Sequence, residues 1–300
     1  MATRMRISGR TLWAARLGVA LVTIGASSLA HGGIFGRQST KSETPISLSQ
    51  IQQALDEQRY SDAGRLLDVA MLSGAKDPRL LLLQGELEIA HGNPAVALSL
   101  FKSLEENPIT AGSARAGEGI ALAMLKRTDA AVASLERSVV ENPGSWRLWN
   151  ALGAQYDAQR AWPKADLAYE KAVSLSNGAP IPLNNRGYSR VLQGRLDEGI
   201  ADMVGALEKR PDFAEARTNL RLALALRGQY DQALGGGAQD PTMLNNAGFA
   251  ATVRGEFPRA RALFEQALRA KGEYYAKASE NLRILQSLEG SAAARAADPR

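Results

Sequence analysis

A single ruler runs along this chain. Small residues stand at Ala63, Ala97, Ala131, Ala165, Gly199 and Ala233, each 34 residues after the one before, and again at Ala260 after 27. A second row keeps step twelve residues earlier, at Gly85, Gly119, Gly153, Gly187 and Gly248. A third lies four residues after the first, at Leu67, Phe101, Leu135, Tyr169, Met203 and Phe264. A fourth lies seven after, at Ala70, Leu104, Ser138, Ala172, Ala206 and Ala267. Four rows in one register mark a duplicated structural unit rather than chance.

The spacings within a unit have a physical meaning. Positions 0, +4 and +7 share one face of an α-helix. Small residues at the first of them let a second helix cross closely, where a larger side chain would push the two apart. Turn signals separate the halves at His91-Gly92-Asn93, Gln193-Gly194, Arg227-Gly228 and Arg254-Gly255. Others close the unit at Asn107-Pro108, Asn142-Pro143 and Arg210-Pro211. Each unit reads as helix, tight turn, helix, turn.

One unit carries Trp149, Leu152, Gly153, Tyr156, Ala165, Tyr169 and Ala172. On these residues the chain resembles the tetratricopeptide repeat, over about residues 45–271 and in seven repeats. The resemblance implies an all-α, right-handed superhelical solenoid of antiparallel helix pairs. Gln58 stands where the first repeat would have its turn glycine. A late repeat has lost seven residues, and Gly235-Gly236-Gly237 cuts its second helix short; this reads as a local break or bend. Residues 275–288 read as an unpaired final helix. Tyr275, Ala278, Leu282 and Leu285 form its buried stripe, and Lys277, Glu280, Arg283 and Gln286 its wet face, as a terminal cap requires. The repeat domain is thus expected over 45–288, with a disordered tail over 289–300.

The first residues are of another kind. Arg4 to Arg16 form a positive stretch, Leu17 to Ile24 a short apolar one, and Ser28-Leu29-Ala30 a small-x-small cleavage site. Residues 1–30 therefore read as a signal peptide, with a polar linker over 31–44. The alternative is an uncleaved anchor over the uncharged Leu17 to Gly36. Either way the body is sent outward, because the arginines stay on the cytoplasmic side; the expected location is the bacterial periplasm. The net charge is +5, but four arginines lie in the acid-free first 30 residues. The basicity belongs to the leader, so nucleic acid is not an expected partner. The chain has no cysteine and two histidines. This excludes disulfides, thiolate chemistry and a thioether-linked lipid, and leaves almost no means for a histidine metal site or a Ser-His-Asp triad.

A repeat solenoid presents a concave groove lined by the first helix of each pair, suited to an extended peptide or a partner helix. In the family it resembles, groove positions lie three and two before the glycine row, and one and four after it. Around Gly187 these are Asn184, Asn185, Tyr188 and Val191; in the next repeat Thr218, Asn219, Leu222 and Ala225; around Gly248, Asn245, Asn246, Phe249 and Thr252. The candidate partner-binding residues are Asn184, Asn185, Tyr188, Asn219, Leu222, Asn245, Asn246 and Phe249. An amide both donates and accepts, so it can pair with a backbone of any sequence; Tyr188 and Phe249 supply apolar anchors. The same asparagines have a second role open to them, bridging neighbouring repeats. Arg186, Arg190, Arg217 and Arg221 form a basic cluster on these helices, facing either an acidic segment or solvent.

Catalysis finds no constellation. His91 sits beside a turn, Glu105-Glu106 reads as solvated charge at a helix end, and Gly235-Gly236-Gly237 lacks the Lys-Ser/Thr of a phosphate loop. No catalytic residue, metal or cofactor is expected. The run from Leu183 to Leu234, and the second asparagine pair in LNNAGFAATVRGEFPRARALFEQAL, resemble the TadD family of tight-adherence (Flp) pilus assembly proteins. That resemblance implies a non-catalytic periplasmic or outer-membrane-associated factor. It would capture a segment of the secretin or another pilus subunit. Members are commonly lipoproteins, and this chain has no cysteine to carry a lipid. Membrane association would come through the partner or an uncleaved leader. The alternative role is a general periplasmic chaperone or cell-envelope adaptor of the same fold.

Overall fold

The computed structural model describes residues 46–235, 240–271 and 275–297. The expected signal peptide and linker lie outside the described residues, as do Gly236 and Gly237 of the glycine run. Among the described residues there are fifteen α-helices and no strand. They fall into two compact units, parted between Leu175 and Ser176. The first holds four helix pairs: α1 (Leu48–Asp56) with α2 (Tyr60–Leu72), α3 (Pro78–Ala90) with α4 (Pro94–Ser103), α5 (Ala111–Met124) with α6 (Thr128–Glu141), and α7 (Trp146–Ala158) with α8 (Trp162–Leu175). The second holds α9 (Pro180–Leu192) with α10 (Leu196–Lys209), α11 (Ala214–Arg227) with α12 (Tyr230–Leu234), α13 (Pro241–Val253) with α14 (Phe257–Lys271), and the single helix α15 (Ala276–Ala297).

Local chemistry starts and stops these helices. At α1, Ser47 Oγ accepts from the Gln50 amide at 3.3 Å while Gln50 Oε1 accepts from the Ser47 amide at 2.9 Å, which satisfies two otherwise orphaned donors. Proline opens α3, α4, α9 and α13, where its missing N–H has no partner to lose. The turn inside each pair places one residue in the left-handed region: Gln58 (φ 59°), Gly92 (79°), Lys126 (58°), Arg160 (56°), Gly194 (82°), Gly228 (93°) and Gly255 (75°). The 34-residue ruler reappears in these backbone angles, and three of the seven positions are not glycine.

The rows meet across each pair. A Cβ added at Gly85 would lie 2.6 Å from the Phe101 ring; at Gly119, 2.7 Å from Leu135; at Gly153, 2.9 Å from Tyr169; at Gly248, 2.7 Å from Phe264. Each glycine is thus the seat for the bulky residue sixteen positions on, and those bulky residues are all buried. At α9–α10 the approach is closer still. A Cβ on Gly187 would stand 2.8 Å from the Gly199 carbonyl oxygen, and one on Gly199 would stand 2.6 Å from that of Gly187. There the two backbones themselves are in contact. The small row behaves likewise: Ala63, Ala97, Ala131, Ala165 and Ala260 are wholly buried.

Two features of the second unit bear on its site. Helix α12 has five residues and ends on Gly235 at φ 60°. Helix α15 buries Ala278 and Leu285 and exposes Lys277, Glu280, Arg283 and Gln286 to varying degrees. It runs on to Ala297, where the sequence reading placed a disordered tail from 289. The reason is compositional: Ala292, Ala293, Ala294, Ala296 and Ala297 are the strongest helix formers, and no proline intervenes before Pro299.

Candidate functional site

The candidate residues sit on α9, α11 and α13, the first helices of the second unit's three pairs. The structure brings some of them together. Asn219 Nδ2 donates to Asn184 Oδ1 at 3.0 Å, and Asn184 Nδ2 donates to Asn185 Oδ1 at 3.2 Å. Asn245 Oδ1 accepts from Asn281 Nδ2 of α15 at 2.9 Å. Asn184 and Asn245 are both buried. These amides therefore join one repeat to the next, since a buried amide left unpaired is costly. Asn185 and Asn219 are half-buried at the edge of this chain of amides.

The remaining candidates are arranged differently. Tyr188, Leu222 and Phe249 are partly buried against the core of the second unit. Phe249 also lines a small recess with Thr252, Val253 and Asn281. Leu222 and Asn246 line a larger cleft of 210 Å³ between α11 and α13. Its floor includes Ala225, Ala233 and Ala247, and its polar lining includes Thr218, Arg221, Asp240 and Thr242. The cleft lies beside the five-residue α12, at the repeat that is seven residues short. Sequence reasoning named Leu222 and Asn246 but missed Asp240, Thr242 and Met243 as neighbours. The one available signal was the shortened repeat, because a missing stretch of packed helix leaves a gap beside it.

The four arginines do not form one cationic face. Arg186 donates to both oxygens of Asp202, at 2.9 and 2.7 Å, and Arg190 donates to Asp202 Oδ2 at 2.7 Å. The side chains of Arg186, Arg190 and Asp202 are only 17%, 16% and 7% exposed. The expectation that this pair meets solvent or an acidic partner is corrected: the counter-charge comes from α10, one turn region away, and the cluster is largely buried. Arg217 donates to the Pro211 carbonyl at 2.7 Å on the exposed surface. Arg221, by contrast, contacts the Met243 thioether in the cleft, and no carboxylate pairs with it among the described residues.

Elsewhere, ionisable groups are shifted by packing. Burial, and after it the hydrogen-bonded Glu136, pushes the Tyr156 phenol up. Burial, and after it Asp157, does the same for Tyr169. Burial, with Glu256 second, raises Tyr230 to about 12. Burial, and then the facing Glu118 carboxylate, raises Glu105, so this residue is not the freely solvated charge expected of it. His91 lies edge-on to the Tyr60 ring at 6.2 Å. Among the described residues no three His, Cys, Asp or Glu side chains gather to hold a metal, and no helix is long and apolar enough to cross a membrane.

No family model matches the chain, and no curated relative does. Solved structures do. The chain is similar to the APC/C hetero-tetramer Cut9–Hcn1, at TM-score 0.63 and 15% identity, over 80% of this chain and 49% of that one. It therefore spans about half the length of that structure. It is similar to a thermophilic tetratricopeptide protein of Thermus thermophilus, at TM-score 0.53 and 23% identity, over 59% of this chain and 96% of that one. It is also similar to a tetratricopeptide repeat protein of Parabacteroides merdae, at TM-score 0.53 and 15% identity, over 80% and 97%. At these identities the likeness speaks of fold. Joined to the paired helices and the 34-residue register, it gives the chain the fold of the tetratricopeptide-repeat structures, an all-α solenoid of antiparallel helix pairs.

Proposed function

We propose that this chain is a non-catalytic scaffold that captures a peptide segment of another protein on the first helices of its second unit. The observation that carries this reading is the cleft between α11 and α13. There Arg221, with no ion pair among the described residues, and the half-buried Asn246 amide line a recess of mixed character, whose apolar part is Leu222, Ala225, Ala233, Met243 and Ala247. Repeat arrays expose such faces because each pair packs only on its neighbours. Tyr188 and Phe249 extend the face with partly buried aromatic surface, the kind that anchors a bound chain.

The finer reading is assembly of a tight-adherence pilus or its outer-membrane secretin, from the periplasmic side. It is supported by the leader-like first 30 residues and by the paired asparagines in LNNRGY and LNNAGF. The test is a cross-linked pull-down of the tagged chain from its own cell envelope, read by mass spectrometry. Enrichment of a secretin with other pilus subunits is the expected result. Recovery of cell-wall enzymes alone would overturn it and leave a general envelope adaptor.

A further inference from the structure

We propose that the cleft between α11 and α13 receives an acidic side chain, Asp or Glu, of the captured segment, with the Arg221 guanidinium as its counter-ion. The inference rests on the peptide-binding reading above and gives it a chemistry.

Several arginines of the second unit meet a carboxylate; Arg210, Arg217 and Arg221 do not among the described residues, and of these three Arg221 is the one that lines the cleft. Arg186 and Arg190 share Asp202, Arg227 pairs with Asp197 at 3.0 Å, and Arg254 pairs with Glu256 at 2.7 Å. Arg221 is half-buried in the cleft wall, and its polar contact is the sulfur of Met243. A guanidinium held against apolar surface without an anion attracts a carboxylate more strongly than one in open water. The one acid in the cleft lining, Asp240, turns its Oδ1 to the Thr242 and Met243 amides, at 2.8 and 3.1 Å, as the cap of α13, and forms no ion pair with Arg221. Asn246, across the cleft, has an amide that no described side chain engages, and it can hold a passing backbone.

Size narrows the occupant. A volume of 210 Å³ is below the roughly 300–1,000 Å³ of small-molecule sites, and suits one or two side chains. Leu222 and Asn246 continue the surface along the helices on either side of Arg221. The occupant inferred is a chain lying across α11 and α13 that inserts one acidic side chain; a free end group carries the same charge, and peptide libraries with and without free C-termini tell them apart.

The experiment is selection of random nonapeptides, from one library without and one with free C-termini, on the full chain, immobilised, with Arg221→Gln and Arg221→Glu in parallel. Circular dichroism confirms that each variant keeps the helical content of the parent. The expected result is enrichment of Asp or Glu at one position. Arg221→Gln then loses that preference while other positions stay selected, with about a tenfold loss of affinity for the best Glu-bearing peptide. Arg221→Glu exchanges the preference for Lys or Arg. Peptides selected with no acidic preference, or with one that survives Arg221→Gln, overturn the inference and leave the peptide-binding reading standing. Acid selection seen only with libraries that have free C-termini overturns the side-chain assignment. No enrichment of any peptide sinks the peptide-binding reading, and this inference with it.

Discussion

At single positions, backbone and burial decide. Gly194 adopts a φ of 82°, and an alanine there takes on left-handed strain. Gly194→Ala is expected to cost about 1 kcal/mol in urea denaturation. Arg160, at φ 56° in the equivalent turn and exposed, runs the other way: Arg160→Gly leaves stability unchanged or raises it by roughly a few tenths of a kcal/mol. The sequence did not mark Lys126 or Arg160 as turn residues, because a long polar side chain tolerates the left-handed region at a modest cost. A pH effect belongs to this scale too. Glu105 is held above its ordinary 4.5 by burial and then by Glu118. A raised carboxyl gives stability that is full below that value and is lost as the pH rises through the folded-state value. Glu105→Gln should therefore melt higher than the parent at pH 7, and the gap should close by about pH 4. A thermal melt series across that range reads it.

Between helices, the unit of meaning is a set of side chains from two elements. In the pair α7–α8 the equivalents of Arg186, Arg190 and Asp202 are Leu152, Tyr156 and Ala168, each 34 residues earlier. An apolar cluster in one repeat has become an ion triad in the next. Removing the shared anion strands two largely buried cations, so Asp202→Ala is expected to cost about 3 kcal/mol. The combined change Arg186→Leu, Arg190→Tyr, Asp202→Ala restores the neighbour's chemistry and is expected to be neutral or stabilising. Urea midpoints of the two variants separate an ion triad kept for specificity from one needed for stability. The asparagines divide by the same logic. Asn184→Ala removes the acceptor of Asn219 and should lower stability by about 1–2 kcal/mol, whereas Asn246→Ala should leave the melting temperature unchanged and weaken peptide binding. Periodicity made the helix pairs and their faces legible. It could not show that Asp202, sixteen residues from Arg186 on another helix, would neutralise the basic cluster. Nor could it tell a bridging asparagine from one facing a cleft, since both occupy the same helical row.

Across the whole chain, each helix pair answers mainly to its neighbours, so opening is local. The five-residue α12 is the shortest of the described helices, with the fewest internal hydrogen bonds to open, and amide exchange measured by mass spectrometry should be fastest there within the second unit. The expected disordered tail and the cleft show opposite limits of reading from sequence. The tail was misjudged because a run of alanines looks featureless yet is strongly helical. The cleft was missed because a gap has no residues of its own. The fit of a bare glycine against a bulky residue within each pair has a genetic consequence. A lesion at Gly153 should be curable by a second change at Tyr169 to a smaller residue, since the obstruction is a ring. A lesion at Gly187 has no such suppressor on the facing side, because what it strikes is the carbonyl of Gly199. Most pairs can therefore drift by compensated steps, each on its own clock, while the α9–α10 crossing, where backbone meets backbone, is the part of this array that descent can least afford to rewrite.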